Sequence, residues 1–302
     1  MIISSFRGLL LTLAIALCAL SPAENPTPSS PTGPTKFTLW QLPNQTPTQM
    51  MSYVIKTPNG KLIVVDGGNV GDAPYLAKFL EAQGNDVAAW FISHPHSDHL
   101  SALCELVKAP GALKIGPIFG SFLGGEWIDQ HGSEGEQKVY HWFVDTLKTA
   151  DRMVEELTPG QEMEIDGVQI EVLGAKNPEI LPNGVNNSSI IVRISDSEKS
   201  VLFTGDLGVE GGDKALKGPF SDRIHADYIQ MAHHGQAGVS EAFYEHVGAR
   251  YCLWPTPLWL WDNDNGGGKG SGPWKTLAVR EWMEKLPIEH HYVMTEGLHE
   301  IK

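Results

Sequence analysis

Three histidines and one aspartate lie within a single six-residue segment, in the order His-x-His-x-Asp-His. These residues are His94, His96, Asp98 and His99. Imidazole and carboxylate groups suit zinc, manganese or iron, whereas a purely structural zinc site is usually rich in thiolates. A loop carrying these groups can turn two side chains toward one point and two toward a neighbouring point. Because a pair of metal ions a few ångströms apart requires this arrangement, the segment predicts a two-metal site.

The flanking sequence predicts that this segment joins a buried strand to a helix. Residues 87–92 are all apolar, which is typical of a strand buried on both faces. Four apolar residues beyond the segment recur with helical spacing: Leu100, Leu103, Leu106 and Val107. Asp98 is expected near the N-cap of that helix. The alternative is a surface turn in which Asp98 only caps the helix, but three histidines directly after a buried strand argue against it.

Other polar residues follow apolar strands elsewhere in the chain. Asp66 and Asp206 each end such a strand, and His233-His234-Gly235 follows a third. Two adjacent histidines project in different directions, so one can bind a metal while the other faces the substrate as proton donor or oxyanion stabiliser. The residue types do not decide between them. We expect His233 to be the ligand and His234 to act in catalysis.

Together these segments resemble the motifs of the metallo-β-lactamase superfamily. The resemblance extends over roughly residues 37–302 and involves Asp66-Gly67-Gly68, the segment 94–99, Thr204-Gly205-Asp206 and His233-His234-Gly235. It implies an α/β fold of four layers, an αββα sandwich in which two mixed sheets pack face to face with helices outside. The metal site would then lie at one edge of the sandwich, where the loops gather.

The resemblance also implies a role for each site residue. The implied ligands are His94 and His96 for a first metal, Asp98 and His99 for a second, His233 or His234 for completing the set, and Asp206 as the bridge. Asp98 is also expected to take part in catalysis, and Asp66 would brace the metal loop from outside the ligand set. The implied cofactors are two divalent ions, zinc first, with manganese or iron as alternatives.

One position departs from the general superfamily pattern. Asn186-Asn187 stands where another metal-binding histidine is expected. A similar segment occurs in the branch that includes the hydrolase domain of the bacterial DNA-uptake channel protein and the choline-phosphate esterases of cell surfaces. The first metal would then bind more weakly, or take an amide or water as its third ligand. The alternative is a purely structural role, in which Asn186 and Asn187 only form the turn that leads into the next strand.

The branch resemblance favours a hydrolase that acts on a phosphodiester or a related phosphorylated substrate. Two alternatives remain open. One is a lactonase or β-lactamase-type hydrolase. The other is a catalytically weak module that binds choline or glycan through the four tryptophans between Trp254 and Trp274, which would form a platform beside a Gly-rich flap. Equally, those tryptophans can pack an outer helix against the sheet.

The N-terminus predicts export. Residues 1–23 have Arg7 as their only charge and an apolar run from Leu9 to Leu20, which is typical of a secretory signal peptide. Residues 24–36 read as a linker rich in Pro, Ser and Thr, and residues 37–302 as the hydrolase domain. The mature protein is therefore expected to be secreted or periplasmic without a transmembrane segment. A lipid on Cys18 is the minority alternative.

Composition limits the partners of the mature chain. The formal charge of −14, less the +1 of the leader, leaves −15, which repels polyanions. We therefore expect a small-molecule or envelope-derived substrate and no tight nucleic-acid binding, while the oligomeric state stays open. Cys104 and Cys252 remain after the leader, either as a disulfide or as two buried thiols.

Overall fold

The structure is a computed structural model that describes Met1 and residues 36–302. The predicted signal peptide after Met1, Cys18 and the predicted linker before Lys36 lie outside the described residues. In the part of the chain that is described, none of the helices combines the length and the apolar character that crossing a membrane requires. The predicted hydrolase domain, residues 37–302, is described in full.

Fifteen strands occur in the described residues. In chain order they are β1 (Thr38–Gln41), β2 (Ser52–Lys56), β3 (Leu62–Asp66), β4 (Asp86–Phe91), β5 (Lys114–Ile115), β6 (Ile118–Gly120), β7 (Val154–Glu156), β8 (Glu162–Ile165), β9 (Val168–Gly174), β10 (Ile191–Ser195), β11 (Ser200–Phe203), β12 (Tyr228–Gln230), β13 (Tyr251–Trp254), β14 (His290–Val293) and β15 (His299–Ile301). Alternating polar and apolar residues on both sides of Asp166-Gly167 predict a hairpin, and this is confirmed, since β8 pairs with β9. Asp166 and Gly167 have φ of 52° and 82°, as a type I′ turn requires.

Nine α-helices occur in the same residues. In chain order they are α1 (Ala73–Gln83), α2 (Ser97–Lys108), α3 (Gly125–His131), α4 (Glu134–Thr149), α5 (Gly184–Asn187), α6 (Val209–Leu216), α7 (Glu241–Val247), α8 (Leu258–Trp261) and α9 (Thr276–Lys285). The Gly-rich sequence of residues 109–136 predicts an irregular segment, but this prediction is wrong, because the stretch contains β5, β6 and α3. These elements are two to seven residues long, too short to show a clear hydrophobic period.

The strands form two mixed sheets. The first has the order β15-β1-β2-β3-β4-β6-β7 with β5 beside β4, and the second has the order β14-β13-β12-β11-β10-β9-β8. Their facing sides share one core, to which Phe91 of the first sheet and Phe203 of the second contribute. Helices α1, α2 and α4 pack on the outer face of the first sheet, and α7 and α9 on that of the second. The predicted αββα sandwich is confirmed.

Strand direction gathers the polar residues at one edge of the sandwich. Strands β3 and β4 run parallel in the first sheet, and β11 and β12 run parallel in the second. Parallel neighbours present their carboxyl ends at the same edge. Asp66, the segment 94–99, Asp206 and the two histidines at 233–234 all lie at or just beyond these ends.

The end of the chain differs from the sequence expectation. The segments 291–295 and 297–301, separated by one residue, predict a final hairpin, but β14 pairs with β13 in the second sheet and β15 pairs with β1 in the first. The alternation of polar and apolar residues specifies a strand but not its partner. Strand β15 instead covers the edge beside β1 and buries Ile301.

The two cysteines of the described residues are free and buried thiols. Cys104 lies on α2, in the core outside the first sheet, and Cys252 lies on β13, in the core outside the second. The two sheets therefore stand between them. Of the two alternatives left open by the sequence, the structure shows the pair of buried thiols.

Candidate metal centre

The loop between β4 and α2 carries the first four candidate ligands. His94 and His96 lie before the helix, and His96 takes the N-cap position with an extended backbone (ψ 154°). Asp98 and His99 lie in the first turn of α2. Asp98 is therefore one residue inside the helix rather than at its cap, and its Oδ2 accepts a hydrogen bond from Gln49 Nε2 at 3.2 Å.

Two groups of side chains converge at this edge, with ligand atoms within 4.8 Å of one another in each group. The first group is His94, His96 and Asp206, and the second group is Asp98, His99, Asp206 and His234. In the first, His94 Nε2 lies 2.9 Å from His96 Nδ1 and 3.8 Å from Asp206 Oδ2. In the second, His99 Nε2 lies 3.3 Å from Asp206 Oδ1. Asp206 belongs to both groups, one oxygen facing each of these imidazoles.

Asp66 supports the metal loop from beneath. Its Oδ1 accepts the Ser93 backbone N–H at 2.7 Å, and its Oδ2 accepts the Ser93 hydroxyl and faces His99 Nδ1, both at 2.9 Å. Because the single hydroxyl hydrogen of Ser93 goes to Asp66, Ser93 Oγ accepts from His94 Nδ1, 3.1 Å away. Both imidazoles thus direct Nε2 toward Asp206.

The adjacent histidines occupy a strained turn. His233 and His234 have φ of 52° and 56°, in the left-handed region that non-glycine residues rarely adopt. This turn brings both rings to the site. His234 Nε2 lies 3.1 Å from Asp98 Oδ2 and 3.5 Å from Asp206 Oδ2, whereas His233 Nε2 lies 3.8 Å from Asp206 Oδ2.

The two rings therefore have different environments. The sequence led us to expect His233 as the ligand, whereas the structure places His234, which is fully buried, in the second group. His234 Nδ1 donates to the Pro255 carbonyl at 3.0 Å, which leaves Nε2 facing the two carboxylates. The His233 side chain is 19% exposed and donates from Nδ1 to the Ala237 carbonyl. Its Nε2 is thus available at the open side of the site.

The buried carboxylates favour positive charge in the centre. Burial alone would lower the pKa of His234, but the nearby carboxylates, Asp206 foremost, raise it to about 9. His99 follows the same pattern, since Asp206, Asp66 and Asp98 together outweigh its burial and raise its pKa. His94 differs, because its burial and the neighbouring imidazoles lower its pKa.

Several buried polar atoms of the centre have no hydrogen-bond partner. They are His99 Nε2, His234 Nε2, Asp206 Oδ1 and Asn186 Oδ1. Buried polar atoms are rarely left unpaired because desolvation costs about 1–3 kcal/mol each. Imidazole nitrogens and a carboxylate oxygen that converge without hydrogen-bond partners are the donor types that bind a divalent metal ion. The donor set therefore fits the metal ions that the sequence predicted.

Asn186 and Asn187 have different surroundings. Asn187 is fully buried, and its amide donates to the Pro182 carbonyl and to Glu210 while accepting the Gly211 N–H, so it ties the start of α6 to the preceding loop. Asn186 lies beside His233, with 3.4 Å between Asn186 Nδ2 and His233 Nε2. Only Asn186 therefore reaches the metal centre.

Comparisons with known proteins agree with this architecture. The family model of the metallo-β-lactamase superfamily matches residues 46–233, more than half of the chain. The chain belongs to the metallo-β-lactamase superfamily. Members of this superfamily are generally metal-dependent hydrolases. No curated protein sequence matches the chain.

Two solved structures share the superfamily fold with this chain. The metallo-β-lactamase fold protein YhfI from Bacillus subtilis has a TM-score of 0.53 at 15% identity, covering 88% of this chain and 100% of that chain. A mutant of the CmlA β-hydroxylase has a TM-score of 0.50 at 11% identity, covering 90% of this chain and 55% of that chain. At these identities the similarity shows the fold alone.

One residue that contacts the candidate metal centre was not predicted from the sequence. Glu136, from the first turn of α4, places Oε1 at 3.2 Å from His96 Nε2. The Ser133-x-x-Glu136 spacing is a capping-box signature that could have marked the start of α4. Nothing in that signature, however, points to a contact with His96, 40 residues away.

The tryptophans near the end of the chain divide into two pairs. Trp254 is fully buried, and Trp261 packs edge-to-face against it. The guanidinium carbon of Arg280 lies 3.9 Å from the centre of the Trp261 ring. Trp254 and Trp261 therefore pack an outer helix against the sheet, which is one of the two roles that the sequence left open. Trp259 and Trp274 are half-buried and edge-to-face, with Trp259 Nε1 donating to the Pro47 carbonyl.

Proposed function

We propose that this protein is a two-metal hydrolase that acts on a phosphodiester or a related phosphorylated substrate. The observation that carries the proposal is the convergence of five buried or half-buried imidazole and carboxylate side chains on a sixth, Asp206. They form two groups that share this one residue, as two neighbouring metal ions would need. The unpaired buried nitrogen and oxygen atoms of the same residues give independent support.

The roles of the ligands follow from the two groups. His94 and His96 would hold the first ion, Asp98, His99 and His234 the second, with Asp206 between them. A divalent ion bound there supplies Lewis acidity and acidifies a water molecule for attack on an electrophilic centre. Zinc suits this donor set, and manganese or iron are alternatives.

His233 faces the substrate in this proposal. It is the more exposed of the adjacent pair, its proton lies on Nδ1, and its Nε2 lies 3.8 Å from Asp206 Oδ2. From that position Nε2 can first accept a proton, and the protonated ring can then donate it to the leaving group or hydrogen-bond an oxygen that becomes negative in the transition state. The roles first expected for His233 and His234 are thereby exchanged.

The choice of a phosphorylated substrate rests on Asn186. The first group contains only two imidazoles, and an asparagine lies where the general superfamily pattern has a histidine. This arrangement matches the branch that includes the DNA-uptake hydrolase domain and the choline-phosphate esterases, and we propose that the chain belongs to it. The acidic chain favours a small or envelope-derived substrate over nucleic acid. The leader sequence supports export to the periplasm or the exterior.

Metal analysis combined with turnover tests the proposal. Metal-free protein is loaded with Zn²⁺ or Mn²⁺, the bound metal is counted, and hydrolysis of bis(p-nitrophenyl) phosphate is measured beside lactone and β-lactam panels. We expect two ions and phosphodiester turnover that the Asp98→Ala variant loses. Turnover of lactone or lactam alone would refute the substrate class. Bound metal without any turnover would favour the choline- or glycan-binding module.

A further inference from the structure

Each imidazole of the two metal groups has a second polar partner outside its group. The pairs are His94 with Ser93, His99 with Asp66, His234 with the Pro255 carbonyl, and His96 with Glu136. The first three partners follow or end strands of the two sheets, whereas Glu136 comes from helix α4 outside the sandwich. The orientation of His96 alone therefore depends on an element beyond the sheet edge.

The His96–Glu136 contact selects one form of the His96 ring. Glu136 Oε2 already accepts two hydrogen bonds from Ser133, which leaves Oε1, 3.2 Å from His96 Nε2, as a second acceptor, because an ionised glutamate has no proton to donate. His96 Nε2 must then carry the proton, which leaves Nδ1 as a lone pair. That nitrogen lies 2.9 Å from His94 Nε2, on the side of the first metal group.

Glu136 is itself held in place. Its Oε2 accepts both the backbone N–H and the hydroxyl of Ser133 at 2.6 Å, and its own N–H donates to Ser133 Oγ at 3.3 Å. The carboxylate is thus fixed through one oxygen and free to receive His96 through the other. A single side chain completes the cap of α4 and contacts a metal-binding imidazole.

His96 needs such a partner more than the other imidazoles do. The His96 side chain is 23% exposed, whereas those of His94, His99 and His234 are fully buried and fixed by packing. The first group also contains fewer protein ligands than the second. A loose His96 would therefore weaken the first site in particular.

We propose that Glu136 is a positioning residue that holds His96 in the orientation and tautomer required to bind the first metal ion. The inference rests on the proposed function, because it assumes that both groups bind metal. Outer partners of metal-binding histidines typically contribute about 10- to 100-fold in metal affinity. We expect the loss of Glu136 to weaken the first site by that factor and to leave the second site unchanged.

The test is a Zn²⁺ titration of the metal-free full-length protein in competition with a chromophoric chelator. Wild type and Glu136→Ala are compared with Glu136→Gln, whose amide oxygen can still accept the His96 N–H. Ser133→Ala is the control for the lost helix cap, and Glu134→Gln is the control for a lost charge, since the Glu134 side chain is 91% exposed in the same turn. Thermal unfolding of each metal-free variant measures the cost of the cap alone.

A second background identifies the site that is affected. His234→Ala removes a ligand of the second group, so the zinc that this variant retains reports the first site. Adding Glu136→Ala to His234→Ala should then abolish or weaken this remaining binding, while Glu136→Gln should restore part of it. Glu134→Gln should keep wild-type affinity at both sites, and Ser133→Ala, which retains the backbone N–H bond to Glu136 Oε2, should weaken the first site less than Glu136→Ala does.

The outcomes separate this inference from the proposed function. Wild-type protein that binds no zinc or manganese overturns both. Wild-type protein that binds two ions, with Glu136→Ala retaining both affinities within threefold, overturns the role of Glu136 and leaves the hydrolase intact. Equal weakening by Ser133→Ala and Glu136→Ala would show that the helix cap, not the contact with His96, is responsible.

Discussion

Gly205 controls the position of Asp206, and replacing it by alanine should destabilise both the fold and the metal centre. Gly205 has φ of 54°, in the left-handed region. A Cβ there would lie 2.7 Å from Ser93 Cβ and 2.8 Å from Ser189 Oγ. The Ser93 hydroxyl donates a hydrogen bond to Asp66 Oδ2, and Ser189 Oγ accepts one from the Asp206 N–H at 3.0 Å. The added methyl group would therefore displace two supports of the site.

Two terms set the expected loss of stability for Gly205→Ala. The left-handed backbone costs an alanine about 1–2 kcal/mol. Overpacking against Ser93 and Ser189, which are both fully buried, adds about 1–3 kcal/mol. Since the two terms act at one residue and share no contact, we expect a total of about 2–5 kcal/mol in the free energy of unfolding.

Gly248 offers a matched control, because it has φ of 64° but no heavy atom within 4 Å of its added Cβ. Gly248→Ala should lose only the backbone term, about 1–2 kcal/mol. Urea unfolding of the metal-free proteins at one pH measures both variants, and metal analysis follows each. A Gly205→Ala variant no less stable than Gly248→Ala, with wild-type metal content, would refute the packing argument.

Three further predictions follow from the site and the core. His234→Ala should lose about one equivalent of metal, whereas His233→Ala should keep its metal and lose phosphodiester turnover; the opposite pattern would restore the sequence-based roles. Asn187→Ala should lower the free energy of unfolding by about 1–3 kcal/mol in urea, because it leaves buried backbone groups unpaired, and an unchanged midpoint would contradict the contacts described. Burial raises the pKa of both thiols, that of Cys104 to about 12, so Cys104 and Cys252 should resist iodoacetamide in the native protein and react fully after unfolding without reductant, as mass spectrometry can check. Reaction only after reduction would instead reveal a disulfide.

Local sequence patterns predicted most of the architecture. Apolar runs located β4 and β11, and the Asp-Gly pair located the β8–β9 hairpin. Pro74 in the first turn and Gly84 just past the end are likewise the local signals that bound α1. These signals act over a few residues, through side-chain periodicity and allowed backbone angles, so they can be read without knowing the fold. The same locality explains why the final hairpin was wrong, because the partner of β15 lies at the other end of the chain.

By itself, the sequence determined which residues are candidates for binding metal, because residue type and spacing limit which groups can do so, but it left His233 and His234 as alternatives. Only the tertiary structure decided which of these side chains belong to each of the two metal groups. Left-handed backbone at His233 and His234 brings the second ring, not the first, between Asp98 and Asp206. The contact between Glu136 and His96 likewise joins a helix cap to a strand-end loop. The placement of these side chains depends on packing between residues far apart in the sequence, which also holds the strained backbone in place. Residue type alone therefore does not predict it.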